Sequence, residues 1–256
     1  MSKIISKEIA PEIVNNIDDE RSERKLKLAS AFRLFAHYGF DEGIAGHITV
    51  RDPEFMDTFW VNPFGVYFGM ISVSDLIRVD MAGNIVEGKH TKLNKAAFIV
   101  HSKIHQKRPD INAVAHAHSI YGRIFSATGK TIRPLTIEAT PFYNDHVLFN
   151  DLGGVVNQLS EGDLIAEALT DKKAMILRNH GLLTVGKTVD EAAWWFVAME
   201  RSCQTQIMVE LLGNCVELEA DEAERGYQEL GNSAAGWFQY QPLFQKIMKE
   251  QPDVVR

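Results

Sequence analysis

The sequence predicts a single α/β domain in which helices flank a central mixed, largely antiparallel sheet. Short stretches that alternate as strands do are separated by stretches with helical spacing of apolar residues. Several strands are joined by tight turns, which favours antiparallel pairs over an all-parallel sheet. No repeat or clear linker divides residues 20–256, and residues 1–19, which show no strong period, are predicted to form an N-terminal arm.

In the first half of the chain, glycines and prolines mark the ends of the elements. Leu28, Phe32 and Phe35 follow helical spacing, and Gly39 can close that helix. The predicted elements are, in order, a helix at 20–37, a turn and strand at 43–51, a strand at 58–62, a hairpin of 76–80 with 85–87, a helix at 94–107, a strand at 113–119 and a helix at 121–127.

The second half is harder to interpret because prolines and glycines interrupt residues 130–160. Thr188 and Glu191 have the spacing of a capping box that opens a long helix. Trp194 and Trp195 lie on a wide apolar arc of that helix, which predicts burial against the sheet or in a contact between subunits. The other predicted elements are a strand at 147–149, a helix at 164–169, a strand pair at 175–186 that breaks at 179–181, and one or two helices in 216–250 interrupted by Gly231 and Pro242.

The composition excludes several classes of function. The chain has 256 residues, and its formal net charge of −7 argues against a nucleic-acid partner, which would need a basic face. It has neither an apolar run of the roughly 18 residues that span a bilayer nor the apolar core of a signal peptide. We therefore expect a cytoplasmic protein with no membrane partner. Cys203 and Cys215 lack metal-site spacing and predict ordinary reduced thiols.

Three histidines form the most informative pattern. His116 and His118 are two residues apart in Ala113-Val-Ala-His-Ala-His-Ser119, so on a strand they project to the same face. His180 lies at Asn179-His-Gly181, where a buried strand breaks. Taken singly, each could be an ordinary hydrogen-bonded histidine. Together they predict ligands of one divalent metal ion, for which imidazole suits zinc and also iron, copper and nickel.

Five motifs in residues 25–212 resemble the class II aldolase/adducin family. They are Gly43-Ile-Ala-Gly-His-Ile-Thr-Val-Arg-Asp-Pro53, Val61-Asn-Pro-Phe-Gly65, Ser74-Asp-Leu-Ile-Arg-Val-Asp80, the stretch 108–118 that ends in the two histidines, and the stretch 177–186 around His180. The resemblance, strongest to the adducin head as a short stand-alone domain, implies an α/β/α fold and usually a homotetramer with its site near a subunit contact. It also implies a divalent metal, commonly zinc, on His116, His118 and His180, acting on a small-molecule substrate.

The chain departs from the aldolases of that family at the residues for sugar-phosphate chemistry. Their Ser-Ser-Glu, which supplies two phosphate-binding serines and a catalytic glutamate, is Lys95-Ala-Ala97 here, and their phosphate-binding asparagine is His47. We therefore expect a substrate that is not a sugar phosphate. Lys95 or His47 is expected to hold a carboxylate, and Asn62 in the second motif is expected to contact the substrate.

A lyase also needs a group that moves a proton. Ungapped comparison places the catalytic tyrosine of the family aldolases near Glu138. We expect Glu138 to take this role, with Tyr143 and His146 as weaker substitutes. The alternative is that Glu138 is a solvated carboxylate.

Three functions remain open at this point. The first is a metal-dependent carbon–carbon lyase that acts by retro-aldol cleavage or decarboxylation on a small hydroxy- or keto-acid. The second is a non-haem iron oxygenase, although such enzymes usually pair two histidines with a carboxylate. The third is a non-catalytic binding or assembly module, which the loss of the glutamate at position 97 favours and the three histidines disfavour.

Overall fold

Eight short strands form one sheet in the computed structural model, which describes residues 16–151, 156 and 158–256. The strands are β1 (His47–Arg51), β2 (Thr58–Val61), β3 (Ile77–Asp80), β4 (Ile85–Glu87), β5 (Ala113–Ala117), β6 (His146–Phe149), β7 (Ala174–Leu177) and β8 (Gly181–Gly186). The helices are α1 (Ile17–His37), α2 (Lys95–Lys107), α3 (Ile120–Ser126), α4 (Leu159–Leu169), α5 (Val189–Leu211), α6 (Ala220–Leu230) and α7 (Ser233–Glu250).

The order of the sheet is β4-β3-β2-β1-β5-β8-β7-β6. Every neighbouring pair is antiparallel except β6 with β7, which is parallel. The prediction of a mixed, largely antiparallel sheet is therefore confirmed. Three of the strands that carry sequence motifs, β1, β5 and β8, are adjacent at the centre of this sheet.

Apolar side chains cover both faces of the sheet, as the sequence of an α/β/α protein requires. One core combines alternate strand residues with side chains of α1, α3, α5 and α7. The second core combines the other set of strand residues with α2 and α4. All five residues of β1 and of β5 are consequently buried. His116 has the same parity as Val114, which belongs to the second core, so His116 lies on the α2–α4 side.

The long helix α5 is buried within the subunit. It packs against β8, α7, α1 and α3, and Trp195 is only 2% exposed. Of the two predicted explanations for its apolar arc, burial against the sheet is the one the structure shows. The arc therefore lends no support to a contact between subunits.

Several predicted boundaries differ from the structure. Helix α1 begins at Ile17, so residues 17–19 of the predicted arm are helical, and residues 1–15 lie outside the described part of the chain. Helix α4 begins at Leu159, five residues earlier than predicted. Pro242 lies inside α7 and does not interrupt it, because burial of Tyr240 and Ile247 offsets the roughly 3 kcal/mol that an internal proline costs.

Both cysteines are free thiols, as predicted, and Cys203 is buried. In the described ranges, no helix is long and apolar enough to cross a membrane.

A buried carboxylate fastens α1 to the end of β1. Asp52 accepts hydrogen bonds from Arg21 Nε (2.8 Å), Trp60 Nε1 (2.9 Å) and the backbone N–H groups of Glu54 and Phe55 (both 3.0 Å). Burial alone would raise the pKa of Asp52, but these hydrogen bonds outweigh it and hold that pKa well below its ordinary range. The charged form is therefore the one that stabilises the fold.

We expect Asp52→Asn to lower the free energy of unfolding by about 2 to 3 kcal/mol at pH 7, the range for hydrogen bonds to a charged group. Because the pKa of Asp52 is lower in the folded state, its contribution exists above the unfolded value of about 3.9 and is lost as the pH falls through the folded pKa. Urea unfolding should show that the difference in free energy of unfolding between the wild-type protein and Asp52→Asn is smaller below pH 4 than at pH 7.

The matched control is Glu54→Gln. The exposed Glu54 also pairs with Arg21, and surface ion pairs contribute about 1 kcal/mol or less. An Asp52→Asn effect equal at both pH values would contradict the assignment.

Candidate metal centre

His116 is held by the hydrogen bonds of the central strands. It lies in β5, directly opposite His47 of β1 on one side and Leu183 of β8 on the other. Its Nδ1 lies 2.7 Å from the carbonyl oxygen of Leu182. A carbonyl oxygen only accepts, so Nδ1 carries the proton and Nε2 of the neutral ring keeps a free lone pair.

His180 is placed by the tight turn between β7 and β8. Asn179 has a left-handed backbone (φ 59°), and the N–H of His180 donates to the carbonyl oxygen of Leu177 at 3.0 Å. A Cβ on Gly181 would lie 2.9 Å from the carbonyl oxygen of Ala117, so only glycine fits against β5. The Asn-His-Gly sequence thus brings the imidazole of His180 next to the end of β5.

His118 lies one residue beyond β5, where a buried glutamate fixes the direction of the chain. Glu200 of α5 accepts hydrogen bonds from the hydroxyl of Ser119 and from the N–H groups of Tyr121 (2.9 Å) and Gly122 (2.6 Å). These bonds satisfy the first turn of α3 and anchor the residue that follows His118. Ser119 therefore has a structural role, consistent with its lack of any sequence signal for a nucleophile.

The three Nε2 atoms converge on one point. That of His180 lies 3.1 Å from Nε2 of His116 and 3.1 Å from Nε2 of His118. A proton on His180 could satisfy only one of these two contacts, whereas a cation would satisfy all three lone pairs. Nitrogens of a tetrahedral zinc site with bonds of roughly 2.0–2.1 Å lie about 3.3 Å apart, close to the observed separation. The donor set therefore fits a divalent ion.

The three imidazoles are also in the protonation state that a metal requires. Burial, followed by the neighbouring His180 and His47, lowers the pKa of His116 well below its ordinary value. Burial and then Arg123 lower the pKa of His118, and burial and then His118 lower the pKa of His180 to about 4. All three rings are neutral at pH 7, so no proton competes with a metal ion.

An apolar cavity opens beside this centre. His47, His116 and His180 contribute imidazoles to its lining, and the remaining lining consists of Ala96, Val100, Val156, Ile165 and Leu177. The cavity lies on the α2–α4 side of the sheet. Its lining therefore combines imidazoles with apolar side chains.

His47 belongs to a row of buried polar groups that the sequence did not reveal. Its Nδ1 lies 2.7 Å from His101 Nε2, and Thr49 Oγ1 lies 2.8 Å from His101 Nδ1 and 2.9 Å from His105 Nε2. Helical spacing places His101 and His105 on the buried face of α2 but does not indicate these hydrogen bonds. A sequence signal was available. His101 and His105 are four residues apart, which places them on one face of a helix, and His47 and Thr49 are two residues apart, which places them on one face of a strand.

The other predicted substrate contacts are less directly placed. Lys95 is the exposed first residue of α2, next to Ala96 in the cavity lining. Ala97 is 1% exposed, and its methyl group can neither bind a metal nor move a proton. Asn62 is buried, its Oδ1 has no hydrogen-bond partner in the described part of the chain, and it does not line the cavity. Of the three residues, only His47 contacts the centre.

Glu138 is not brought to the centre within one subunit. It is exposed on a short 3₁₀ helix, Ile137–Phe142, that packs against α5 and α6. His146 is unsuited to the same role, because its Nδ1 lies 2.6 Å from the carbonyl oxygen of Phe142 and its Nε2 accepts the N–H of Ile132 at 3.0 Å. Tyr143 ends the 3₁₀ helix and is half-buried. The catalytic role of Glu138 remains a prediction.

The sequence profile described as Class II Aldolase and Adducin N-terminal domain matches residues 26–207. The chain belongs to this family. It is 43% identical over 246 residues to decarboxylase NovR of Streptomyces niveus, covering 95% of this chain and 91% of that protein. It is 42% identical over 245 residues to the 4-hydroxy-3-prenylphenylpyruvate oxygenase/4-hydroxy-3-prenylbenzoate synthase of Streptomyces roseochromogenus subsp. oscitans, covering 95% and 88%.

Among solved structures, an L-fuculose 1-phosphate aldolase from Glaciozyma antarctica superposes with a TM-score of 0.90 at 42% identity, covering 97% of both chains. The class II aldolase/adducin fold predicted from the motifs is therefore confirmed.

We expect the double variant His116→Ala, His118→Ala to lose its bound metal, because the remaining imidazole cannot hold a divalent ion alone. Elemental analysis after gel filtration would measure this loss. His90→Ala is the matched control, since His90 pairs with Asp75 and is not one of the converging imidazoles. Full metal occupancy in the double variant would refute the three-histidine site.

Proposed function

We propose that this protein is a divalent-metal-dependent carbon–carbon lyase that acts on a small keto- or hydroxy-acid by decarboxylation or retro-aldol cleavage. The observation that carries the proposal is the convergence of three neutral imidazole Nε2 atoms at the wall of a cavity. His116, His118 and His180 would hold the ion, with zinc as the first choice. Because these three ligands are all imidazoles, a fourth position stays open for water or substrate.

The chemistry of this class fits such a centre. Cleavage of a β-keto acid or of an aldol breaks a carbon–carbon bond, and the electron pair moves onto the oxygen of the neighbouring carbonyl group. Carbon dioxide or an aldehyde leaves, and the carbon then takes up a proton. A divalent ion would supply the Lewis acid that this carbonyl needs.

The residues of the cavity support an acid with an apolar portion rather than a sugar phosphate. The two positions where family aldolases bind phosphate through serine are Lys95 and Ala96, and their catalytic glutamate is Ala97. The apolar part of the lining would exclude water from the reacting bond and would offer no hydrogen bonds to a polyol. His47 is one of the polar lining residues and would contact an oxygen of the substrate.

The names of the relatives agree with carbon–carbon bond chemistry on acids. One relative is called a decarboxylase, and the other is named for a reaction on a phenylpyruvate, a 2-keto acid. The structural neighbour is called a sugar-phosphate aldolase. Since this chain has Lys95-Ala-Ala97 where the family aldolases have two serines and a glutamate, we favour keto- or hydroxy-acids as its substrates.

The name of the Streptomyces roseochromogenus relative also supports a second candidate, a non-haem iron oxygenase. Loss of carbon dioxide from a 2-keto acid leaves the electron pair on the carbonyl carbon itself, so an acceptor such as dioxygen must take it. A lyase on a β-keto acid or an aldol needs no such acceptor. The requirement for dioxygen therefore separates the two functions.

The test is a substrate screen on the protein loaded separately with zinc, manganese and ferrous iron. Aldols, β-keto acids and 2-keto acids would be followed by carbon dioxide and aldehyde release under nitrogen and in air. We expect turnover under nitrogen that is lost in the His116→Ala variant. Turnover only in air with iron would favour the oxygenase, and bound metal without any turnover would favour a non-catalytic module.

We also propose that the subunits form a homotetramer. Large apolar side chains are exposed by 49% to 70% in the turn before β1, in the segment between β2 and β3 and in α3; they are Ile44, Tyr67, Met70, Ile120 and Ile124. Obligate contacts between subunits are apolar in this way. In such an assembly, the exposed Glu138 of the partner subunit would supply the missing acid–base group. Light scattering that shows only a monomer at micromolar concentrations would contradict the assembly.

Glu138→Gln should lower turnover by about 100-fold, the usual contribution of an acid–base group, with metal content unchanged. If the site is shared, co-expression of Glu138→Gln with His116→Ala should restore part of the activity that each variant lacks. Wild-type turnover in Glu138→Gln would remove this residue from the mechanism.

A further inference from the structure

The buried row of His47, His101, Thr49 and His105 contains three hydrogen-bond contacts. Each contact needs exactly one proton between its two heavy atoms. His47, His101 and His105 are buried, and among the described residues the hydrogen-bond partners of their ring nitrogens include no carboxylate that could stabilise a charged ring. Each imidazole is therefore neutral, with one N–H and one lone pair.

A neutral ring donates on one side and accepts on the other, so the row has a direction. If His47 Nδ1 donates to His101, then His101 donates to Thr49, and Thr49 donates to His105 Nε2. The proton of His105 then lies on Nδ1. In the opposite direction, His105 Nε2 donates to Thr49, Thr49 to His101, and His101 to His47 Nδ1. The proton of His47 then lies on Nε2.

A third arrangement, in which Thr49 accepts from both rings, leaves its own hydroxyl proton without an acceptor. Thr49 is fully buried, and its oxygen has no other partner among the residues the structure describes. An unsatisfied buried hydroxyl is costly. This arrangement is therefore excluded.

The far end of the row decides between the two directions. His105 Nδ1 is buried and has no hydrogen-bond partner among the residues the structure describes. The first direction would place an unpaired N–H there, in a packed core. The second leaves an unpaired lone pair there and places the free N–H on His47, which lines the cavity, and orphaned buried donors are rarer than orphaned acceptors. Arg51 donates to the carbonyl oxygen of His105 at 2.7 Å, and its Nε has no partner in the described part of the chain. The positive charge of Arg51 near His105 favours a lone pair on His105 Nδ1 over an N–H at that atom.

We propose that His105, Thr49 and His101 position His47 as a neutral hydrogen-bond donor, with its proton on Nε2. His47 lines the cavity beside the three converging imidazoles, so this donor would bind a carboxylate or developing negative oxygen of the substrate. The inference rests on the proposed function for the identity of that ligand. It makes His47 an electrophilic group rather than a base or a fourth metal ligand.

The direct test is the ¹⁵N spectrum of histidine-labelled, zinc-loaded protein, in which protonated and bare ring nitrogens have distinct chemical shifts. We expect Nε2 of His47 to be protonated and Nδ1 to be bare. The opposite tautomer in the wild-type protein would overturn the proposal. The measurement needs no substrate, so its failure is distinct from failure of the lyase function.

Two substitutions of nearly equal shape test the role of the far end. His105→Gln retains an N–H that can donate to Thr49, so His47 should keep its proton on Nε2. His105→Glu introduces a carboxylate that only accepts, next to Arg51, so the row should reverse and remove that proton. In a Thr49→Val background neither substitution should change the spectrum of His47, because the link is broken. Equal spectra for the two variants with Thr49 present would contradict a directional row.

Binding of pyruvate, a simple carboxylate probe, would report the consequence. Loss of one hydrogen bond to a charged group corresponds to roughly 10-fold or more in affinity. We expect His105→Glu to weaken pyruvate binding by this factor relative to His105→Gln, with equal zinc content in both. Equal affinities with opposite tautomers would show that His47 does not contact the carboxylate.

Discussion

The register of β1, β5 and β8 is the constraint on which the centre depends. It places His47 opposite His116 and His116 opposite Leu183, while Leu182 supplies the carbonyl oxygen that orients the His116 ring. Because side chains alternate along a strand, a slip of one residue would turn His116 into the opposite core. The apolar residues on both faces of these strands prevent that slip. The same packing that stabilises the sheet therefore orients the imidazoles.

The α2–α4 side of the sheet accommodates an unusual amount of polar surface for a core. The imidazoles of His47, His101, His105 and His116 and the hydroxyl of Thr49 are buried there. Unpaired polar groups in a core are costly. Within the row, the facing atoms of His47, His101, Thr49 and His105 are paired, whereas His105 Nδ1 has no partner among the described residues. The small side chain of Ala96, near the start of α2, lines the cavity and leaves space beside the row.

The sequence was sufficient to predict the fold and the three converging histidines, because both depend on local patterns. Period-two alternation identifies β5, and the Asn-His-Gly turn identifies the end of β7. The roles of His101 and His105 were not predictable, because helical spacing identifies a buried face without showing which of its members form hydrogen bonds. The position of Glu138 was also beyond reach, since residues 130–160 have no period. The apolar arc of α5 predicted that the helix is buried, but it did not distinguish burial against the sheet from burial in a contact between subunits.

The candidate ligands His116, His118 and His180 owe their positions to strand pairing, a tight turn and the capping of α3 by Glu200. These are interactions of the protein with itself, so an ion bound at the centre would exchange without unfolding of the chain. Affinity for such nitrogen sites rises toward copper and nickel as well as zinc. The metal in a purified sample would therefore reflect the ions available in the growth medium as much as the preference of the site.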